Sequence, residues 1–332
     1  MNKRTSFLLA SAATAIALIL TASCANEAVL PADSSSFSFG LIGDQQYNAA
    51  QEKQFSALLT AINSEPLAFV VHVGDFKAGG SSPCTDELFA ARFAEFDQSR
   101  HPFIYTPGDN DWVDCRHPSN GAMAPLDRLR KLRELFFAAP KSLGRSSLAL
   151  NLQGDMFAAD PLLSRYRENA MWVHQGVVFA TFNIQGSNDN LGFDAANDAE
   201  QRERTQANIR WLNEATARAK SDDIIGMAVF SQANPGFEES PAHVAKSAYV
   251  PFLNAFEAEA ERLGKPILYV HGDSHQFRVD SPYKSPIDRR EIKNVTRVEG
   301  YGSPNVNWVR VTVGKQSGKP FSIESGRFLP MK

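Results

Sequence analysis

The chain has 332 residues, of which 43% are hydrophobic, 10% aromatic and 21% charged. This composition excludes a disordered or fibrous protein and supplies enough apolar surface for a substantial core. The formal net charge is −3, and Lys and Arg residues do not cluster, so nucleic acid is not an expected partner.

The N-terminus has the pattern of an export signal. Lys3 and Arg4 form a short basic start, and an apolar stretch over residues 7–20 follows. That stretch is too short to span a bilayer comfortably, which distinguishes it from a transmembrane helix. We therefore expect residues 1–25 to be a signal peptide and the mature protein to be periplasmic or secreted.

Two cleavage positions fit this signal. Cleavage before Cys24 would leave that cysteine lipidated at the new N-terminus, whereas cleavage after Ala25 would release an ordinary secreted protein. Lipidation of Cys24 is the one way in which we expect the protein to contact a membrane. The Ser-rich residues 26–36 are predicted to be a tether.

Processing of the N-terminus leaves two cysteines, Cys84 and Cys115, in an oxidising compartment. A disulfide between them would close a loop of about thirty residues and stabilise the fold by ~3 kcal/mol. Two separate thiols are the alternative that composition alone leaves open.

Along the chain, apolar stretches typical of strands alternate with stretches whose apolar residues recur at helical spacing. Strands are predicted at 37–41, 67–73, 103–105, 177–184, 224–230 and 267–270. Helices are predicted around 55–62, 88–96, 126–135, 200–219 and 252–263. After residue 294, alternation of valines with polar residues over 309–313 predicts antiparallel β-structure with one solvated face. One mixed α/β domain over residues 37–328 accounts for the pattern.

Four of the apolar stretches end in the same dipeptide. They are followed by Gly43-Asp44, Gly74-Asp75, Gly108-Asp109 and Gly272-Asp273. A single aspartate after a strand is equally typical of a helix N-cap. However, the carboxyl ends of parallel strands share one edge of a sheet, where ligands bind. Four carboxylates meeting there would repel one another, and one or two divalent cations would remove that conflict.

The order and spacing of these motifs resemble the calcineurin-like metallophosphoesterase superfamily over residues 37–308. The family pattern is Asp-x-His, Gly-Asp, Gly-Asn-His-Asp/Glu, a lone His, then Gly-His-x-His. The resemblance implies a four-layer α/β/β/α sandwich, in which two packed sheets are flanked by helices and metals lie at strand ends. It also implies hydrolysis of a small phosphomono- or diester by metal-activated water.

The motif positions imply two sets of metal ligands that share Asp75. The first set is completed by Asp44, Gln46 and His275, and the second by Asp109, Asp273 and Gln232, with Asn234 as the alternative to Gln232. Asn110 lies where the family has the histidine that assists the leaving group. Asn110 and Asp75 are therefore the predicted catalytic residues.

The differences from the family replace imidazoles with amides and carboxylates. An oxygen-rich set of ligands favours Mn²⁺, Mg²⁺, Ca²⁺ or iron over Zn²⁺. Asn110 cannot protonate a leaving alkoxide, so substrates with activated leaving groups are expected to react better than alkyl esters.

The segment from Gly108 to Arg116 also resembles a bacterial branch of that superfamily that carries a Gly-Asp-Asn-Asp/Glu-Trp motif followed by Asp-Cys. This narrower resemblance supports Cys84 and Cys115 as disulfide partners.

Two other functions compete with hydrolysis of a phosphoester. A binding protein of the cell envelope would keep the fold without turnover, which the missing acid at Asn110 favours and the full set of oxygen donors opposes. Hydrolysis of a non-phosphate ester is disfavoured because the sequence contains no Gly-x-Ser-x-Gly motif. We expect the protein to be a monomer.

Overall fold

The computed structural model describes residues 1, 36–314 and 318–328. The predicted signal peptide, Cys24 and the tether lie outside these residues, apart from Met1 and Ser36. From Ser36 onward the described residues belong to one compact unit. None of the helices formed by the described residues has the length and apolar character needed to cross a membrane.

The described residues form fourteen strands, most of them short. These are β1 (Phe37–Ile42), β2 (Val70–His72), β3 (Phe103–Tyr105), β4 (Asn151–Leu152), β5 (Ala170–His174), β6 (Val177–Thr181), β7 (Gly226–Phe230), β8 (Ile267–His271), β9 (Arg278–Asp280), β10 (Tyr283–Lys284), β11 (Glu291–Ile292), β12 (Val295–Glu299), β13 (Val309–Val313) and β14 (Phe321–Ser325).

The helices lie mainly between the strands. They are α1 (Ala49–Ser64), α2 (Asp86–Phe96), α3 (Pro125–Phe136), the single turns α4 (Gln153–Met156), α5 (Gly186–Asp189) and α7 (Pro241–Val244), and the longer α6 (Ala195–Ala219) and α8 (Val250–Leu263). Within α5 the backbone of Ser187 and Asn188 is left-handed and not that of a right-handed helix. Side-chain caps begin several of them. Asn48 accepts hydrogen bonds from the second and third backbone N–H groups that follow it, and Asp194 does the same for α6.

Two sheets carry the fold. The first has the order β14-β13-β1-β2-β3, with β1, β2 and β3 parallel and the other neighbours antiparallel. The second has the order β4-β5-β6-β7-β8-β12-β9, with β6, β7, β8 and β12 parallel. In the first sheet Ile42, His72 and Tyr105 lie side by side, so the residues that follow them leave the sheet at one edge.

Apolar side chains separate the sheets and helices into four layers. Phe39 of the first sheet meets Phe179 of the second edge to face, with ring centroids 5.6 Å apart, inside a core that lies between the sheets. A second core joins the first sheet to α1, α2 and α3, including Phe55. A third joins the other sheet to α6 and α8, including Trp211 and Phe256. The predicted α/β/β/α sandwich is therefore confirmed.

The C-terminal part differs in one respect from the antiparallel structure predicted after residue 294. Val309–Val313 and Phe321–Ser325 do form an antiparallel pair, and β13 alternates buried with half-buried residues. Val295–Glu299 instead pairs in parallel with β8 and belongs to the other sheet. Four of its five residues are buried although only two are apolar, so the sequence pattern did not separate this strand from the tail.

A disulfide joins Cys84 to Cys115, with a Cα–Cα distance of 5.6 Å. Both side chains are fully buried. The bond connects the loop before α2 to the segment that follows Gly108-Asp109. The predicted pairing is present, and it tethers a segment that contributes to the strand-end site.

Removal of this disulfide is expected to destabilise the fold. Closure of a loop with a sequence separation of 31 limits the unfolded chain, so the double variant Cys84→Ala/Cys115→Ala should lose roughly 3–4 kcal/mol of unfolding free energy. Urea denaturation of the variant and of the oxidised protein measures this difference. Coincident unfolding curves would contradict the prediction.

Candidate metal centre

The four Gly-Asp dipeptides meet where the strands of the two sheets end. Three of the aspartates have left-handed backbone, with φ of 52° at Asp44, 60° at Asp75 and 76° at Asp273. Such φ values are uncommon outside glycine, although aspartate tolerates them better than most residues. The chain thus turns sharply after each of these three strands.

The glycines of these dipeptides allow backbone and carboxylate to approach closely. A Cβ on Gly108 would collide with the carboxylate of Asp75, and one on Gly272 would collide with that of Asp44. The sheets are therefore linked at this edge by contacts between one dipeptide and the next. Asp273 N adds to this by donating a hydrogen bond of 3.0 Å to Asp44 Oδ1.

Hydrogen bonds from amide groups hold the other carboxylates. Asp75 Oδ1 accepts from Asn110 N at 3.1 Å, and its Oδ2 accepts from the side chain of Gln232 at 3.1 Å. Asp273 accepts from the backbone N of Asn234 at 2.8 Å and from Gln232 at 3.4 Å. Asp109 lies beside Asp273, because a Cβ on Gly186 would be 2.8 Å from an oxygen of each. The four aspartates therefore form one cluster, in which Asp44, Asp75 and Asp109 are buried and Asp273 is half-buried.

The cluster carries more negative charge than its surroundings neutralise. Among the described residues, neither Lys nor Arg pairs with Asp44, Asp75, Asp109 or Asp273, although Nε2 of His275 lies 3.8 Å from Asp44 Oδ1. The buried Lys77 ammonium donates instead to the carbonyl oxygens of Ala78 and Asn110.

Burial is the main cause of the altered acidities in the cluster, and repulsion between neighbours adds to it. Burial, and then Asp273, raise the pKa of Asp109 to about 8, and burial raises the pKa of Asp273 to about 6. The pKa values of Asp44 and Asp75 are also raised well above the usual range, first by burial and next by the neighbouring aspartates.

Residues 37–277 match the calcineurin-like phosphoesterase family. The chain belongs to that family. Among solved structures, that of PhoD is similar at 13% identity and a TM-score of 0.50, covering 89% of this chain and 69% of that one. A dimetal phosphatase from Danio rerio matches at 13% identity, a TM-score of 0.49, and coverage of 88% and 99%. No match was found among curated protein sequences.

Calcineurin-like phosphoesterases use divalent metal ions, and the buried oxygens of this family member fit such an ion. Asp44 Oδ2, Gln46 Oε1 and Asp109 Oδ1 are buried and have no hydrogen-bond partner among the described residues. Buried polar atoms are rarely left unpaired. All three belong to predicted ligands, and all three are the hard oxygen donors that Mn²⁺, Mg²⁺ and Ca²⁺ accept.

The described residues nevertheless contain no group of three or more His, Cys, Asp or Glu side chains already arranged to hold an ion. Hydrogen bonds to amide groups hold the carboxylates in their present orientations. Metal binding would exchange some of these bonds for metal contacts.

The glutamines that replace two family histidines have different orientations. Gln46 Nε2 donates to Glu95 at 2.7 Å, which leaves its unpaired oxygen free. Gln232 Oε1 accepts from Gly186 N at 2.7 Å, so its amide nitrogen faces Asp75 and the other aspartates. Ligation by Gln232 stays a prediction and would require its amide to rotate.

His275 has the geometry of an imidazole that can bind through Nε2. Its Nδ1 lies 2.9 Å from the carbonyl oxygen of Ser303, which only accepts, so the ring proton is on Nδ1. Burial lowers the pKa of His275. A neutral ring with an unprotonated Nε2 is the form that binds metals, and here Nε2 lies 3.3 Å from the Tyr47 hydroxyl.

Tyr47 is a member of the site that the sequence analysis did not identify. Its hydroxyl lies 3.1 Å from Asp75 Oδ2, 2.9 Å from Asn110 Nδ2 and 3.3 Å from His275 Nε2. Burial, and then the charge of Asp75, raise the pKa of Tyr47 well above 10, so its O–H remains a donor. Tyr47 matches no position of the family motif, and its spacing gave no signal.

Asp111, which the motif contains but to which no role was assigned, fixes the ends of β2 and β3. Its carboxylate accepts hydrogen bonds of 2.9 Å from Asp75 N, 2.9 Å from Phe76 N, 2.8 Å from Gly108 N and 2.7 Å from the Tyr105 hydroxyl. Asp111 therefore positions the Gly-Asp turns instead of facing a ligand.

Proposed function

We propose that the protein is a metal-dependent phosphoester hydrolase. The observation that carries this proposal is the set of unpaired buried oxygens on Asp44, Gln46 and Asp109 within a cluster of unneutralised carboxylates. Asp75, Asp273 and His275, with Gln232 once its amide has rotated, complete the residues that would hold one or two divalent cations. The oxygen-rich donor set supports Mn²⁺, Mg²⁺, Ca²⁺ or iron in preference to Zn²⁺.

When bound, the metal would activate water and stabilise the negative charge on the phosphoryl and leaving-group oxygens. The protein's own residues hold and orient the reacting groups. Asp75 would bridge the two ligand sets, and the Asn110 amide, now bonded to the Tyr47 hydroxyl, would donate a hydrogen bond near the leaving group. Because an amide does not transfer a proton, we propose aryl and other activated phosphoesters as the best substrates.

Metal removal tests this function. Protein prepared with Mn²⁺ should hydrolyse p-nitrophenyl phosphate or bis-p-nitrophenyl phosphate, lose that turnover after treatment with a chelator, and recover it when Mn²⁺, Mg²⁺ or Ca²⁺ is added. Metal content measured by atomic emission should follow activity. A protein that retains no metal and leaves both esters intact is not this hydrolase.

A binding protein without turnover is the second candidate. The contacts of Tyr47 favour it, because its hydroxyl lies among Asp75, Asn110 and His275, where a substrate would approach. If the protein binds metal but hydrolyses neither ester with Mn²⁺, Mg²⁺ or Ca²⁺, the result would support this candidate over the hydrolase.

We also propose that the protein is exported. Its basic and apolar N-terminus supports export, and the buried disulfide fits an oxidising compartment. The mass of the mature protein extracted from membranes separates the two cleavage positions. A diacylglyceryl mass on Cys24 indicates a lipoprotein, and an N-terminus at residue 26 indicates ordinary secretion.

A further inference from the structure

The segment over residues 186–190 has an unusual backbone. Four consecutive residues are left-handed, with φ of 51° at Ser187, 51° at Asn188, 53° at Asp189 and 68° at Asn190. Left-handed residues normally occur singly. A run of four persists only when the surrounding structure holds it, and such strain is concentrated at functional sites. We call this segment the 186–190 turn.

Buried polar contacts hold the 186–190 turn from the side of α6. Asp189 Oδ1 accepts from Arg204 Nη1 at 2.6 Å, and the backbone oxygen of Asp189 accepts from Nη2 at 2.8 Å. The two side chains are 3% and 0% exposed. Gln201 adds a bond of 3.1 Å to Asp189 Oδ2, and Asn190 bonds Asn197 at 3.0 Å. These contacts compensate for the strained backbone.

The opposite side of the 186–190 turn lies against the carboxylate cluster. A Cβ on Gly186 would be 2.8 Å from both Asp109 Oδ2 and Asp273 Oδ1. Gly186 N also donates the bond that orients Gln232. The backbone of the turn is thus in contact with two predicted ligands and sets the direction of a third.

The Ser187 hydroxyl reaches the cluster directly. It donates to Asp109 Oδ2 at 2.7 Å and lies 3.0 Å from Asp114 Oδ1. A hydroxyl has one hydrogen, so it serves one carboxylate at a time, and the contact to Asp109 is the shorter. The bond spans 78 positions of the sequence, which distinguishes it from the local hydrogen bonds that serine usually makes in turns.

We propose that Ser187 is a positioning residue of the metal centre. Its hydroxyl holds Asp109 Oδ2, so that Oδ1, which is buried and has no hydrogen-bond partner among the described residues, is presented to the cation. This inference rests on the proposed metal binding. Hydrogen bonds that orient a ligand typically change metal affinity by roughly 10–100-fold.

Calorimetric titration of the whole mature protein with Mn²⁺ tests the proposal. Ser187→Ala removes the hydroxyl. Ser187→Gly also removes it, and glycine adopts the positive φ of this position without strain. Ser142→Ala is the matched control, because the buried Ser142 hydroxyl bonds Leu148 N instead of a carboxylate. We expect both Ser187 variants to bind Mn²⁺ about 10–100-fold more weakly and the control to bind as the unaltered protein does.

Two results would overturn the proposal while leaving the proposed function intact. One is Mn²⁺ binding that is unchanged in both Ser187 variants. The other is weak binding in Ser187→Ala alone, since this would assign the effect to backbone strain and not to the hydroxyl. Failure of the unaltered protein to bind Mn²⁺, Mg²⁺, Ca²⁺ or iron would instead overturn the metal centre itself, and with it this role of Ser187.

Discussion

Asp75→Asn is expected to abolish most of the metal binding and to lower turnover by more than about 100-fold. This loss is larger than the roughly 10–100-fold loss expected for a residue that only orients a metal ligand. Asp75 is the predicted shared ligand, and its two oxygens already face Asn110 N, Tyr47 and Gln232. The amide of the variant is a weaker ligand and cannot replace the charge. Metal content and p-nitrophenyl phosphate turnover, measured on the same preparation, give both effects.

The same substitution should not destabilise the metal-free protein. Asparagine has nearly the shape of aspartate, and it removes one of several buried charges that repel one another. This gain offsets the loss of one acceptor, because the amide nitrogen cannot accept the bonds that an Asp75 oxygen accepts from Asn110 or Gln232. The melting temperature in chelator should therefore equal or exceed that of the unaltered protein. Asp155→Asn is the control, because Asp155 also follows a glycine but is exposed and paired with Arg167. Equal losses of activity in both variants would refute the role of Asp75.

Without metal, the protein should become less stable as the pH rises from about 4 to 8. An aspartate in the unfolded chain has a pKa of about 3.9. In the folded protein the pKa of Asp109 is raised to about 8 and that of Asp273 to about 6. In this range the folded state binds more protons than the unfolded state. The free energy of unfolding therefore falls with pH, and the contribution present below pH 4 is lost by pH 8.

Thermal unfolding in chelator at constant ionic strength measures this effect. We expect the melting temperature to fall by roughly 5 °C between pH 5.5 and pH 8, given a few degrees per kcal/mol for a chain of this size. Saturating Mn²⁺ should reverse the fall, because it binds the deprotonated folded state. Asp109→Asn should flatten the profile. A melting temperature that stays constant or rises with pH would show that folding does not raise the pKa values of Asp109 and Asp273.

The strand ends were predictable because two local signals coincide there. A stretch of apolar residues covered on both faces predicts a parallel strand, and the glycine that follows it predicts a sharp turn. Asp44, Asp75, Asp109 and Asp273 therefore converge as the sequence predicted. The motif order predicted the sandwich as well, since it carried the resemblance to the family that implied this fold.

The side chains around the aspartates were less predictable, because tertiary contacts set their directions. The amide of Gln232 faces the carboxylates only because Gly186 N takes its oxygen, and nothing near residue 232 in the sequence indicates this. Ser187 belongs to the same segment as Gly186, the 186–190 turn. Its neighbours Asn188, Asp189 and Asn190 are residue types that tolerate left-handed backbone, so the 186–190 turn carried a signal, but its contact with Asp109 did not.

The left-handed backbone at Asp44, Asp75 and Asp273 also restricts how this site can change during evolution. At such φ values asparagine and glycine are accepted with little strain, whereas branched or bulky side chains are not. Relief of charge repulsion would make the change to asparagine favourable for folding. Relatives that lose the metal should therefore retain the turns and carry Asn or Gly at these positions, so that a few substitutions separate a hydrolase from a binding protein with the same surface.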